Sequence, residues 1–107
     1  MELIETLTAE LKAGGLNIRK THMIKPVFPF GVIYNQVTTS GANGHAQLVM
    51  DEDIFIEWCT ENATDGGMQK IADVLNRHGL DFYKQTVWLS TEKMYQTTFT
   101  VNVVHKS

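Results

Sequence analysis

Cys59 is the chain's one thiol, and His22, His45, His78 and His105 are its four imidazoles. A thiol becomes a nucleophile when a neighbouring cation or base lowers its pKa. No such neighbour stands beside Cys59 in the sequence, which follows Trp58 in an apolar run and reads as a small buried residue. No histidine has a partner at the i, i+4 spacing of a zinc site. Asp51-Glu52-Asp53 offers three hard oxygen ligands of the kind that hold divalent cations. On an extended chain, however, successive side chains point to opposite faces, so the three cannot converge on one ion. Thr64-Asp65-Gly66-Gly67 leads into a helix whose free N–H groups could face an anion. It lacks the full spacing of a phosphate loop and reads as a helix cap with a close-packed first turn. The residue types capable of chemistry are present, but no spacing assembles them, so we expect no catalytic residue, no metal and no cofactor.

One pattern does carry information. Gln96, Thr98, Thr100 and Asn102 form one face of a strand in which every side chain is uncharged and can hydrogen-bond. A solvated strand face usually carries Lys and Glu, and depletion of charge suits a surface that meets another protein. The opposite face, Tyr95, Thr97, Phe99, Val101 and Val103, reads as core.

The elements that position this face follow from periodicity. Leu3, Leu7 and Leu11, widened by Ile4, make a helix over 2–13 that Gly14-Gly15 stops. Leu16, Ile18 and Lys20 alternate as a short strand. Pro26 and Pro29 then make Met23 to Phe30 an extended connection or sheet edge. Phe28 and Phe30 are expected to tuck into the core or a partner. Gly31 to Thr39 is a strand with Val32 and Tyr34 on one face and Ile33 and Val37 on the other. Ser40 to His45 is a turn-rich tip, with Gly41, Asn43, Gly44 and His45 as candidate docking residues. The return strand begins at 46–50, with a kink or bulge expected at Asp51 to Asp53. It resumes as Ile54 to Cys59, with Ile54, Ile56 and Trp58 on one face and Phe55, Glu57 and Cys59 on the other. Thr64 or Asp65 caps a second helix, whose buried stripe is Met68, Ile71, Ala72 and Leu75 and whose stop is Gly79. Leu80-Asp81-Phe82 and Thr86 to Leu89 read as a strand, followed by a turn at Ser90 to Lys93 and a last strand from Tyr95 to Val104. The fold class is α+β: one domain over 1–107, with an antiparallel sheet of about four to five strands and two helices packed on one face.

Composition bounds the function. The chain has 107 residues and a formal charge of −3, with 43% hydrophobic and 20% charged residues. That is ordinary for one globular domain, and the acidic balance argues against a dedicated DNA-binding surface. One cysteine excludes an intrachain disulfide. The N-terminus, Met-Glu-Leu-Ile-Glu, lacks the order of a signal peptide, and no apolar run spans a bilayer. A soluble protein made in the cytoplasm is expected.

The element order, with the stretches "DIFIEWCTEN", "GGMQKIADVLNRHG" and "LDFYKQTVWLSTEKMYQTTFTVNVV", resembles the small tail-terminator and head–tail joining proteins of tailed bacteriophages and prophages, also called minor tail or neck proteins. The closing motif carries most of the likeness: Phe82-Tyr83 after the helix, a turn with Glu92, then "MYQTTFTV". The resemblance covers roughly residues 1–105. It implies a non-enzymatic virion subunit that forms a ring, a hexamer, at the tail–head junction. Such a ring ends tail-tube growth and contacts tail-tube and neck or connector proteins, while DNA passes through without specific binding. On that reading Gln96, Thr98, Thr100, Asn102, Phe28 and Phe30 are the candidate interface. The alternative is a cellular interaction module acting as a dimeric regulator. A small enzyme would need Cys59, His78 or the 51–53 carboxylates to meet in one cleft.

Overall fold

The computed structural model describes residues 2–23, 27–41, 48–63 and 65–106. Two helices, α1 (Leu3–Ala13) and α2 (Gly66–Arg77), pack on one face of a five-stranded sheet. The strands are β1 (Ile18–Lys20), β2 (Phe30–Gly41), β3 (Leu48–Thr60), β4 (Tyr83–Leu89) and β5 (Met94–Lys106), arranged in the order β1-β2-β3-β5-β4. The expected element order, α-β-β-β-α-β-β, holds. The sheet is antiparallel except at one edge, where β1 runs parallel to β2. The expectation was an antiparallel sheet of about four to five strands, which the pairing of β2, β3, β5 and β4 meets. The parallel pair arises because the connection after β1 carries the chain back before β2 begins, which a two-residue hairpin could not do.

Both helices end in the same way. Gly15 and Gly79 take left-handed φ values of 89° and 67°. This lets Leu16 N–H reach the Leu11 carbonyl at 3.2 Å and Leu80 N–H reach the Leu75 carbonyl at 3.0 Å. Glycine enters this conformation without a Cβ clash, and the returning leucine then packs on the core. The sequence signals at 14–15 and 79 therefore act as read.

The core is the row-by-row match of helix stripes with alternating strand residues. Ile33, Ile56 and Phe99 lie side by side across β2, β3 and β5, and Ile54 lies beside Val101. All five are fully buried, with Ile4 and Leu7 of α1 and Ile71 and Leu75 of α2 above them. Thr97 is the one fully buried polar residue of this layer. Its hydroxyl pairs with that of Thr86 at 2.9 Å and lies 3.6 Å from the Met68 sulfur.

Trp58 joins the layers. Its indole lies over Gly31, its partner in β2, and against Gly67 in the first turn of α2. A Cβ at Gly67 would sit 2.6 Å from Trp58 Cζ2, and one at Gly31 would sit 2.7 Å from Trp58 Cε3. The indole N–H donates to Asp65 Oδ1 at 3.0 Å, and the same oxygen accepts the Gly67 N–H at 2.7 Å. Asp65 is thus both the N-cap of α2 and the partner of a buried donor, which answers the Thr64-or-Asp65 alternative for the capping side chain. Thr64 itself lies outside the described residues.

β3 pairs one-to-one with β2 and β5 through Asp51, Glu52 and Asp53, so the expected kink or bulge is absent. The three carboxylates fit a regular strand because alternation separates them. Asp51 and Asp53 share Asn102 Nδ2 on one face, at 2.5 and 2.8 Å. Glu52 turns to the other face, where it is buried and accepts from Asn35 Nδ2 at 2.6 Å.

Two substitutions check the Trp58 contact. Gly67→Ala should lower the free energy of unfolding by about 1–3 kcal/mol, because the added methyl has no free volume. Trp58→Ala should cost about 3–5 kcal/mol. Urea titration of each variant measures this, and a Gly67→Ala midpoint equal to wild type would contradict the packing described.

Candidate assembly surface

The helices cover one face of the sheet and leave the other bare. Strand alternation sorts residues onto this open face, and the pairing sets them in rows. The first row is Phe30, Cys59, Gln96 and Val87, crossing β2, β3, β5 and β4 in turn. The second is Val32, Glu57, Thr98 and Gln85, and the third is Tyr34, Phe55, Thr100 and Tyr83. Beyond these the three long strands continue as an arm carrying Gln36, Asp53 and Asn102, then Thr38, Asp51 and Val104. In the three four-strand rows only Glu57 bears a charge.

Gln96, Thr98, Thr100 and Asn102 therefore do lie together, and on the uncovered face. Gln96, Thr98 and Thr100 are half-buried, and Asn102 is exposed. Their setting is more aromatic than β5 alone suggests. The Tyr34 and Phe55 rings stack with centroids 5.1 Å apart, and Tyr83, next to Thr100, is 83% exposed. Phe28 and Phe30 are half-buried and lean on each other at 5.4 Å, with Phe30 beside Cys59 at the end of the first row. Gly41 ends β2, while Asn43, Gly44 and His45 lie outside the described residues.

Tyr34, Phe55, Glu57 and Val87 join Tyr83 in this surface and were not among the residues singled out. The signal for the first three was present. Tyr34 alternates with core Ile33, and Phe55 and Glu57 alternate with core Ile54, Ile56 and Trp58. What was missing was the strand order that sets these faces beside that of β5.

Glu57 is not left bare. The Tyr34 hydroxyl donates to its Oε2 at 2.5 Å. This bond, with burial and the nearby negative charge, raises the Tyr34 pKa from 10 to about 12. The Cys59 pKa is pushed up to about 11, first by burial and then by the Glu57 charge. Cys59 is thus buried and held as the thiol, the opposite of an activated nucleophile.

The groups an enzyme would need are kept apart. Cys59 belongs to the open face, and Asp53 lies six residues along the same strand, about 20 Å away at strand rise. His78 is on the helical side, bonded through Nε2 to Glu10 of α1. Among the described residues no three His, Cys, Asp or Glu side chains gather where they could hold an ion. A cleft of about 440 Å³ opens beside Trp58 and the start of α2. Its ionisable side chains are Asp65, committed to Trp58 and Gly67, and Lys70, which donates to the Gly14 carbonyl at 3.1 Å. No described helix is long and apolar enough to cross a membrane.

The elements define an α+β two-layer domain with one face of the sheet left uncovered by its helices. No protein-family model and no curated protein matches the sequence. Among solved structures, the fold is similar to that of a chain in the virion of a native gene transfer agent (GTA) particle. The TM-score is 0.55 at 12% identity, and the match covers 98% of this chain and 87% of that one. The likeness is one of fold and extends over nearly the whole of both chains.

The Tyr34–Glu57 bond makes a pH prediction. Because the folded-state pKa is raised, folding favours the neutral phenol. The stability it adds is complete below pH 10 and is lost as the pH rises through 12. Tyr34→Phe should remove that part of the alkaline decline, as read from unfolding midpoints between pH 9 and 12. The same decline in both proteins would show that the bond carries no linkage. Cys59 should resist a thiol reagent at pH 8 in the native protein and react in denaturant.

Proposed function

We propose that this chain is a non-enzymatic structural subunit of a phage-like particle, assembling with its own copies into a ring at the tail–head junction. There it would end growth of the tail tube and dock the neck, as a tail terminator or head–tail joining protein. The observation that carries this reading is the open sheet face, three rows of four residues with a single charge and an aromatic cluster, left uncovered by the chain's own helices. A face depleted of charge and holding exposed aromatic side chains suits burial against another subunit. The fold it shares with a chain of a gene transfer agent virion, end to end, supports a place in a particle of that kind.

The arrangement suits ring closure. Head-to-tail contact between identical subunits closes into a ring when the rotation permits. The formal charge of −3 suits a passage that DNA slides through rather than binds. The arm beyond the helices, bearing Asp51 and Asp53, would reach a neighbour in the ring or in the next layer. The tip, including Gly41, Asn43, Gly44 and His45, is its docking element in this reading.

Thr98→Lys or Thr100→Lys should separate assembly from folding. Both positions are half-buried on the open face, away from the helix-covered core. Circular dichroism and the unfolding midpoint should stay near wild type, within about 0.5–1 kcal/mol. Incorporation into particles should fall sharply. Particles produced without this gene should appear by electron microscopy as filled heads separated from loose or overlong tails. Infectious, intact particles from the deletion would remove the tail–head role. Normal incorporation of both lysine variants would remove the open face from the interface.

A further inference from the structure

β4 is a free edge of the sheet. Its seven residues pair only with β5 among the described residues, and all but Leu89 are exposed. On the opposite side β1 is only three residues long and pairs with Gly31 to Ile33, so β2 is a second open edge from Tyr34 onward among the described residues. Natural sheets blunt such edges with proline, bulges, several charges or a covering helix, because unpaired N–H and C=O groups recruit other strands. β4 has no proline, pairs with β5 without a bulge and carries one charge, Lys84. A second observation falls on the same strand. Six large apolar side chains are exposed among the described residues, and three of them stand on β4: Tyr83 at 83%, Val87 at 41% and Trp88 at 50%. An open backbone ladder and a concentration of unburied apolar surface coincide on seven residues.

We infer that a second copy of this chain pairs with this edge through its own β4, antiparallel, about a two-fold axis at Thr86. Two five-stranded sheets then become one of ten strands. The register follows from the sequence of the strand. Only a centre at Thr86 pairs all seven residues, setting Tyr83 opposite Leu89, Lys84 opposite Trp88 and Gln85 opposite Val87. No like charges face each other, whereas a centre at Lys84 would oppose two ammonium groups. Lys84 instead meets Trp88, whose ring leans on Tyr95 with centroids 4.8 Å apart, an aromatic pair able to receive a cation. Tyr83 and Leu89 cover one another across the pair, and Val87 is covered by the Gln85 stem. This match of charge and apolar surface identifies a second β4 as the occupant.

The two-fold axis stands perpendicular to the sheet. Both open faces therefore lie on one side and both helical layers on the other. A two-fold contact cannot propagate around a ring. The pairing is thus a property of the subunit before assembly, one that hides the edge from other strands, and it goes beyond the ring role proposed above.

The test uses the purified full chain. Light scattering across a micromolar concentration series should give a mass of twice 12.1 kDa, dissociating on dilution. Val87→Lys and Trp88→Lys, both at exposed positions, should weaken the dimer at least about tenfold while circular dichroism is unchanged, since tenfold is a loss of only about 1.4 kcal/mol. Thr86→Cys should cross-link to itself on oxidation, because residues directly opposite bring their Cβ atoms within about 5 Å. Val87→Cys, which faces Gln85, should not. Native Cys59 is buried and does not compete. A monomer at every concentration, a dimer indifferent to both lysine variants, or cross-linking equal at positions 86 and 87 would each overturn the inference. None of these readouts depends on particle assembly, so the ring role stands or falls separately.

Discussion

Trp58 sits where the sheet, the connection from β3 and the second helix meet. Its indole occupies the space that two absent side chains leave, over Gly31 in β2 and against Gly67 in α2. Its N–H ends on the carboxylate that caps α2. A large aromatic group contributes most when its body is fully buried and its polar atom is satisfied. Both conditions hold here only while the sheet and α2 keep their relative position. The contact therefore fixes how the helical layer lies on the sheet, and so which face is covered and which is bare.

That partition divides the chemistry of the molecule. On the covered side the core is apolar, and the buried polar side chains each have a partner: Thr97 with Thr86, Thr8 with the Ile4 carbonyl, Thr60 with the Asn62 carbonyl and Glu52 with Asn35. On the open side aromatic rings, threonines and amides alternate, and the central carboxylate is held by a tyrosine. A carboxylate with a hydrogen-bond donor in place can be covered by a partner at lower cost than a bare one, since its lone pairs are already partly satisfied. Glu57 is therefore compatible with burial in an assembly. Burial, with the Glu57 charge second, keeps the neighbouring thiol protonated, so the open face is chemically quiet.

The edge and the face pose different problems. The face offers side chains, whose contacts are selective because they depend on shape and charge. The edge offers backbone, which pairs with almost any extended strand. In the pairing inferred above a second copy of β4 covers that backbone, and Lys84 sets the register by excluding the alignment that would oppose two ammonium groups.

The sequence by itself determined the local structure. Periods of four in α1 and two in the strands mark which side chains are inward. Gly14-Gly15 and Gly79 end the helices, and Thr64-Asp65 marks the start of the second, because each acts on backbone within a few residues; the structure then chose Asp65 as the capping side chain. The charge-poor face of Gln96, Thr98, Thr100 and Asn102 was legible for the same reason: alternation along one strand needs no knowledge of its neighbours. The tertiary structure alone decided what lies beside that face. β5 enters between β3 and β4, which brings Phe55 and Glu57 to one flank of the threonines and Gln85 and Tyr83 to the other. Strand order and the parallel β1–β2 pair come from contacts distant in sequence, and no local period encodes them. The regular pairing through Asp51 to Asp53 has the same origin. Three adjacent acids read as a break until Asn102 and Asn35, from two different strands, supply donors on opposite faces.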